Sequence, residues 1–415
     1  MTAASGGVSL AAPRVARRAT LYEIIGVGWL VYWLTNSYIW MADLAPQLSF
    51  YVITALFLMY FSVVRPQQVL RFVLRPGVWF WSLTAIVPIV MYLTESRPSG
   101  YAYVAMRERI VYFGLVAGSG LVMADPDGPR MLRRAAGIAL AVAIVVNFGE
   151  YFVHNPYNRT PGAVRSAGFY ADANVAGAAI GTLLLLRLPI TRQSTRSLLV
   201  VSLAYLAILA TLSRSGMLFA TVLAAAYLFV PRGPDTLRFG TRLTLGLGGF
   251  AVVLLGGVAA FLFFGLDTAE TWRLRSAFTL DVSDSSAQGR MELASFALQR
   301  ALEHFWTGRG LGTAMEYGVY AHNTYLTLLY EYGVLGLFAF LFVIGTGLFK
   351  VLRYGHARAA TYLWLALQTA YYSNFDHTIA TNPVFAVMFA SFLTNASLEA
   401  PAPARSPSER AVAQR

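Results

Sequence analysis

His322 is the residue of this sequence best placed to transfer a proton. It stands in Ala321-His322-Asn323-Thr324, where a polar segment meets an apolar run. Asn and Thr are favoured N-cap residues, so Asn323 or Thr324 is predicted to begin a helix. The positive end of the helix dipole disfavours a charged imidazole, and a neutral imidazole can accept a proton at pH 7. His322 is therefore a candidate general base, and a histidine that only caps the helix is the alternative.

Arg214 is the cation whose position most needs an explanation. It lies in a very tight turn between two apolar runs, Leu212-Ser213-Arg214-Ser215-Gly216. An arginine in that setting is costly unless it faces a polar cavity or a partner. A guanidinium group stays charged and can bind a phosphate through two parallel hydrogen bonds. The turn favours a cation that faces an anionic ligand, and an arginine that reaches for the membrane surface is the alternative.

The composition identifies the class of protein that holds these residues. Of the 415 residues 57% are hydrophobic and 13% charged, against about 25% charged in a soluble domain. This excludes a soluble enzyme, a disordered protein and a disulfide scaffold. The net charge of +12 does not indicate a nucleic-acid binder, because the arginines are separated by long apolar runs. The absence of cysteine excludes thiol catalysis, thiolate metal sites and disulfides.

Twelve apolar segments approach the roughly 20 residues that a helix needs to cross a bilayer. The predicted fold is therefore all-α, a polytopic membrane protein of about twelve transmembrane helices. In the first span, Trp29, Trp33 and Trp40 suit an interfacial aromatic belt. The segments are 21–41, 48–64, 77–94, 110–124, 135–153, 173–190, 197–213, 215–230, 243–265, 324–349, 359–374 and 380–396.

The cations predict the orientation of these spans. Of the 32 Lys and Arg residues only Lys350 is a lysine, and 21 of the 32 fall in seven segments that alternate with the other connections. The positive-inside rule places those segments in the cytoplasm, with both termini inside. The remaining 11 cations lie outside, where topology does not require them. They are Arg97, Arg107, Arg109, Arg159, Arg165, Arg214, Arg273, Arg275, Arg290, Arg300 and Arg309.

One outer connection, from 266 to 322, is far longer than the others, and such loops are usually functional or disordered. Its apolar residues recur at helical period from 287 to 305, which predicts an amphipathic helix at the membrane surface or over a cavity. The basic turn Gly308-Arg309-Gly310-Leu311-Gly312 follows. It is only a weak match to a phosphate-binding glycine loop, because no strand precedes it.

Five sequence pieces together resemble the O-antigen ligase and polymerase superfamily. The segment 322–326 matches its HNxxL start, and 331–337 matches its ExGxxGL continuation. The turn 212–216 is similar to its SRxG turn, and Gly289-Arg290 with 308–312 is similar to its GR…GxGxG run. Residues 165–174 resemble its RxxG-F…N segment, with Ala173-Asn174 in place of the usual Pro-Asn. Each piece alone is a weak match to the family, and the order of the five pieces along the chain makes the resemblance specific.

The resemblance implies an enzyme of the bacterial inner membrane with a periplasmic active site. An O-antigen ligase moves a glycan from undecaprenyl diphosphate to a sugar hydroxyl of lipid A–core oligosaccharide, with inversion and without metal, nucleotide or other cofactor. It implies His322 as the base and Arg214, Arg290 and Arg165 as contacts of the diphosphate. Supporting roles fall to Asn323, which could orient the imidazole, and to Arg309 and Asn174.

The predicted organisation follows from the spans and this resemblance. Residues 1–265 carry a cytoplasmic N-terminal tail and helices one to nine, and 266–323 form a periplasmic loop with its amphipathic helix. Residues 324–397 carry helices ten to twelve, and 398–415 form a disordered cytoplasmic tail rich in Ala, Pro, Ser and Arg.

Other functions and sites remain open on the sequence. A polymerase or a protein O-oligosaccharyltransferase shares these motifs, and a transporter of lipid-linked saccharides is the alternative that is not an enzyme. Asp281 and Asp284 could bind a cation but lack an EF-hand pattern, and no metal site is predicted. Asn374, Asp376 and His377 fall in the last outer turn, where they could line the same cavity or orient His322.

Overall fold

The computed structural model describes residues 20–42, 51–95, 98–153, 155, 158, 165–170, 172–190, 194–230, 240–241, 244, 285–319, 322–354 and 356–394. Within these ranges the chain folds into fifteen α-helices and one short 3₁₀ turn, with no strand. The predicted all-α class is confirmed. The predicted span 243–265, apart from Thr244, and the tail 398–415 lie outside the described residues.

The helices follow one another in chain order. They are α1 (Leu21–Leu34), α2 (Ser37–Ala42), α3 (Ile53–Val64), α4 (Pro66–Val73), α5 (Pro76–Thr94), α6 (Gly100–Met123), α7 (Gly128–Gly149), α8 (Ala173–Arg187), α9 (Thr195–Ala210), α10 (Arg214–Phe229), α11 (Ser285–Glu303), α12 (Thr313–Glu316), α13 (Thr324–Tyr354), α14 (His356–Tyr372) and α15 (Pro383–Leu393).

Three of the described helices, α5, α7 and α13, are long and apolar enough to cross a membrane. Helices α3 and α4, which are bent by 107° relative to each other, form a fourth candidate span if the pair counts as one. Five further helices are apolar but shorter, namely α1, α8, α9, α10 and α15. The chain is therefore a membrane protein, and the number of twelve spans stays a prediction.

Helix α6 begins ten residues before the predicted span 110–124. Hydropathy placed the start too late because Arg107, Glu108 and Arg109 interrupt the apolar run. In the structure Arg109 Nε donates to the Tyr332 hydroxyl at 3.1 Å and a terminal nitrogen donates to the Ala380 carbonyl at 3.4 Å. A charged side chain with such partners can lie within a helix bundle, so the helix continues through it.

Two tryptophans of α1 face the interior of the protein, and their predicted place in an interfacial belt is wrong. Trp29 stacks on Phe57 with ring centroids 4.0 Å apart and donates its indole N–H to Ser119 Oγ at 3.3 Å. Trp33 is fully buried. Large aromatic surfaces contribute strongly to packing, and the indole N–H of Trp29 is hydrogen-bonded within the bundle.

Helix α8 lies at the centre of the bundle, and all its residues from Val175 to Leu186 are buried. Its small residues allow close approach: a Cβ at Gly177 would lie 3.5 Å from the Cα of Gly216. Gln368 of α14 donates its amide to the Ala178 carbonyl at 2.7 Å. The Gly- and Ala-rich sequence of this span therefore serves close helix packing.

The single lysine has a structural function besides its charge. Lys350 Nζ lies at the cytoplasmic end predicted for α13, and it donates to the carbonyls of Ser391, at 2.5 Å, and Thr394. The ammonium group also lies 4.2 Å from the centre of the Tyr362 ring. It thus satisfies carbonyls that the end of α15 leaves without helical partners.

Helix α13 is broken at Gly333, whose φ of 65° and ψ of −161° are accessible almost only to glycine. The backbone of the 308–312 turn fills the break: the N–H of Arg309 donates to the Tyr330 carbonyl at 2.7 Å, and that of Val334 to the Phe305 carbonyl at 2.8 Å. A Cβ at Gly308 would lie 2.3 Å from the Glu331 carbonyl oxygen. The ExGxxGL and GxGxG motifs therefore pack against each other backbone to backbone.

Candidate functional site

Three helix N-termini converge at one end of the bundle, and each has a polar cap. Asp172, Ser213 and Asn323 accept backbone N–H groups from the first turns of α8, α10 and α13. The cap of α10 contacts the first turn of α8, since Ser213 Oγ donates to Asn174 Oδ1 at 2.9 Å. The predicted cap of α13 is confirmed. The positive ends of these helix dipoles favour an anion nearby.

Arg165 lies between the first turn of α8 and the turn before α10. Its Nη2 donates to Asn174 Oδ1 at 3.0 Å, and its Nε donates to the Thr211 carbonyl at 3.1 Å. Both predicted residues, Arg165 and Asn174, are thus brought beside the SRxG turn. Because a side-chain amide oxygen is neutral, this contact holds the guanidinium in place without cancelling its charge.

Glu150, at the end of α7, fixes the segment that carries Arg165. One carboxylate oxygen accepts the Ser166 hydroxyl at 2.7 Å and the backbone N–H groups of Ala167, at 2.6 Å, and Gly168, at 2.9 Å. Gly168 has a φ of 55°, and a Cβ there would lie 2.5 Å from the Asn147 amide nitrogen. The carboxylate and the glycine together determine the path of the chain after Arg165.

Arg214 is the first residue of α10 and is half-buried. Leu212 in the turn before it has a positive φ of 48°, which is uncommon for a residue with a branched side chain. The Tyr371 hydroxyl of α14 donates to the Ser215 carbonyl at 3.1 Å. The turn is therefore attached to α8 through Ser213 and to α14 through Tyr371.

His322 precedes α13 with a positive φ of 46° and is partly buried. Its ring meets the ring of His377 edge to face, with centroids 5.5 Å apart. Burial, and then the positive charges of Arg290 and His377, lower the pKa of His322 from 6.5 to about 4, against the opposing effect of Asp172. The imidazole is therefore neutral at pH 7, which is the state that the sequence analysis required of a general base.

Arg290 comes to this end on α11, which spans Ser285–Glu303 where 287–305 was predicted. Ala297 and Ala301 lie seven and eleven residues further along and therefore on the same face of the helix. Both are buried in a small apolar cluster with Leu329 and Tyr330 of α13. Arg290 thus lies on the face of α11 that packs against α13, and its charge acts on His322.

Two predicted supporting residues have structural contacts. Asn323 Oδ1 accepts the N–H of Leu326 at 3.0 Å, so its oxygen caps α13. Arg309 lies in the glycine run, with a terminal nitrogen 3.9 Å from Glu303 Oε2 and its guanidinium over the Tyr330 ring. The roles of both residues towards a substrate stay predictions.

The described residues contain no group of three or more His, Asp or Glu side chains that could hold a metal ion. Asp281 and Asp284, the acidic pair considered from the sequence, lie outside the described residues. The described side chains at this end supply guanidinium groups, imidazoles and carboxylates beside the helix N-termini.

The sequence did not predict the contacts of two charged residues at this end. Arg109 ties α6 to α13 and to the connection between α14 and α15 through Tyr332 and Ala380. Glu150 holds the Arg165 segment. The only signal for either was a charge at the edge of an apolar run, a signal that many interfacial residues share.

Comparison with known proteins finds a family match that covers part of this end. The family model described as O-antigen ligase matches residues 198–341. Arg214, Arg290 and His322 fall inside the match, and Arg165 and His377 fall outside it. No curated protein matches the chain.

Proposed function

The chain belongs to the O-antigen ligase superfamily, and on that premise we propose that it is an O-antigen ligase. It transfers a glycan from undecaprenyl diphosphate to a sugar hydroxyl of lipid A–core oligosaccharide. It lies in the bacterial inner membrane with both termini in the cytoplasm, and the end that carries His322 faces the periplasm. The reaction needs no metal or other cofactor.

One observation carries this proposal, namely that the permanent charge of Arg290 acts on the neutral imidazole of His322. Burial, and then the charge of Arg290, lower the pKa of His322 to about 4. Transfer from a lipid diphosphate needs both groups, since a negative charge develops on the leaving diphosphate while the attacking hydroxyl loses a proton. Preorganised cations stabilise such a developing charge.

The proposed step is a direct displacement at the anomeric carbon. The acceptor oxygen forms the new C–O bond, the bond to the diphosphate oxygen breaks, and its electron pair leaves with the diphosphate. The hydroxyl proton passes to His322. Attack opposite the leaving group inverts the anomeric configuration. A positioned general base contributes about 100- to 10,000-fold to such a step.

The arginines have distinct proposed tasks. Arg214 and Arg290 bind the diphosphate, because Arg214 begins α10 at the positive end of the helix dipole and the charge of Arg290 acts on His322. Arg165, which is bonded to Asn174, contacts the phosphate or the glycan. Most described spans lack ionisable residues near their middle, which favours a transferase at the membrane surface over a transporter.

Reconstitution tests the function and separates its relatives. Purified protein in lipid vesicles receives undecaprenyl-diphosphate-linked glycan together with lipid A–core oligosaccharide, a second lipid-linked glycan or an acceptor protein. Extended lipid A–core is the expected product. A lengthened lipid-linked glycan would identify a polymerase, and a glycosylated protein an oligosaccharyltransferase. Movement of the donor across the bilayer without any transfer would identify a transporter.

A further inference from the structure

The connection between α14 and α15 is fastened to the N-terminus of α13. The Thr324 N–H donates to the Ser373 carbonyl at 2.7 Å, and the Thr324 hydroxyl donates to the Asp376 carbonyl at 2.5 Å. Arg109 of α6 also donates to this connection, at the Ala380 carbonyl. The residues between these points are therefore held in a fixed position relative to His322, two residues before Thr324.

His377 lies within this fastened connection. The Asp376 carboxylate accepts the N–H of Thr378 at 2.7 Å and its hydroxyl at 2.8 Å, which fixes the backbone on both sides of His377. The plane of the His377 ring makes an angle of 78° with the plane of the His322 ring, and the two centroids are 5.5 Å apart. The contact thus joins two parts of the chain, and hydrogen bonds fix the position of each part.

Three charged groups act on this pair, two of them from other helices. Arg290 acts on His322 from α11, and Asp172 acts on both histidines from the cap of α8. Asp376 acts on His377 from the same connection. Burial lowers the pKa of His377, and the two carboxylates oppose that shift. The positive charge of a protonated His377 disfavours a second positive charge on His322 and so lowers the pKa of His322.

We propose that His377 is a positioning residue for His322, holding its ring at a fixed angle and keeping it uncharged under mildly acidic conditions. The inference rests on the proposed function, in which His322 accepts the proton of the acceptor hydroxyl. It assigns a role to a residue that lies outside the ligase match at 198–341. Its consequence is a pH dependence that a purely structural residue would not produce.

The test compares the pH dependence of kcat/KM for the wild type, His377→Asn and His377→Gln. Loss of the neighbouring charge raises the pKa of His322, so the acidic limb of the profile moves to higher pH. A unit charge about 5.5 Å away shifts a pKa by about 0.5 to 2 units at effective dielectric constants of about 80 to 20. His304→Asn, which changes an exposed histidine after α11, should leave the limb in place.

An unchanged acidic limb in both His377 variants would overturn the inference and leave the proposed function intact. Full turnover in His322→Ala would instead defeat the base assignment of the proposed function itself. If neither His377 variant folds, the wild type is acylated with diethyl pyrocarbonate, which acylates an imidazole only in its neutral form, and the modification of His322 and of His377 is followed separately against pH. A midpoint for His322 below that for His377 supports the inference, and a midpoint for His322 at or above that for His377 overturns it.

Discussion

Arg165 and Asn174 share a hydrogen bond of 3.0 Å, and the same Asn174 oxygen accepts the Ser213 hydroxyl at 2.9 Å. One neutral amide oxygen thus joins the segment before α8, the first turn of α8 and the cap of α10. Its neutrality matters for the proposed function. A carboxylate in that position would bind Arg165 equally well but would cancel part of the positive potential that attracts the diphosphate.

Asn174→Asp tests this electrostatic role directly. We expect a folded protein whose KM for the lipid-diphosphate donor rises about tenfold, the change that about 1.4 kcal/mol produces. Donor titrations at two salt concentrations measure it. Gln299→Glu places the same charge on the exposed side of α11 and should leave the KM near the wild-type value. Equal effects of the two variants would mean that net charge, rather than position, is responsible.

Glu150→Ala tests whether the Arg165 segment must be held. The change removes the acceptor of two backbone N–H groups and of the Ser166 hydroxyl. Hydrogen bonds to a charged group contribute about 1.5–3 kcal/mol each, so we expect a lower melting temperature together with weaker donor use. Thermal unfolding in detergent and donor KM are the measurements. Glu95→Ala, at an exposed carboxylate after α5, serves as the control, and matching behaviour of the two variants would refute the role of Glu150.

Gly333→Ala tests the break in α13. A Cβ at Gly333 would lie 2.5 Å from the Trp306 carbonyl oxygen, in a conformation that L-residues avoid at a cost of about 1–3 kcal/mol. We expect poor accumulation or a clearly lower melting temperature. Gly345→Ala, in the same helix, meets no atom within 4 Å and should be neutral or slightly stabilising. A stable Gly333→Ala protein would show that the break is not required.

Arg290→Gln should change both donor use and pH dependence. Loss of the cation weakens donor binding, and it also removes an effect that lowers the pKa of His322. Since the base acts in its neutral form, a higher pKa moves the acidic limb of kcat/KM to higher pH. Arg300→Gln, on the same helix but paired with Glu303, should shift neither quantity. If the pH profile of Arg290→Gln matched that of the wild type, the charge of Arg290 would have no effect on the pKa of His322.

The sequence predicted the structural features that depend on residues close together in the chain. The N-cap at Asn323 or Thr324 and the amphipathic helix at 287–305 follow from propensity and periodicity, and the structure has a cap at Asn323 and a helix at Ser285–Glu303. Hydropathy also identified the apolar helices, although the number of spans stays a prediction. These features need only neighbours in the chain to be recognised.

The sequence did not predict what depends on distant partners. Lys350 counted only as a cation of the cytoplasmic side, yet it binds carbonyls about forty residues away. Arg109 was left outside the fourth predicted span, 110–124, because its partners, Tyr332 and Ala380, lie more than two hundred residues further along. The cost of a charge in an apolar run can be judged only when its partners are known.

The measurement that tests the central claim most directly is transfer by His322→Ala in reconstituted vesicles, at pH 7 with saturating donor and lipid A–core acceptor. The claim predicts that turnover falls by about 100-fold or more, while melting temperature and donor binding stay near the wild type. His304→Ala should keep full turnover. Wild-type turnover in His322→Ala would contradict the claim that His322 accepts the proton of the acceptor hydroxyl.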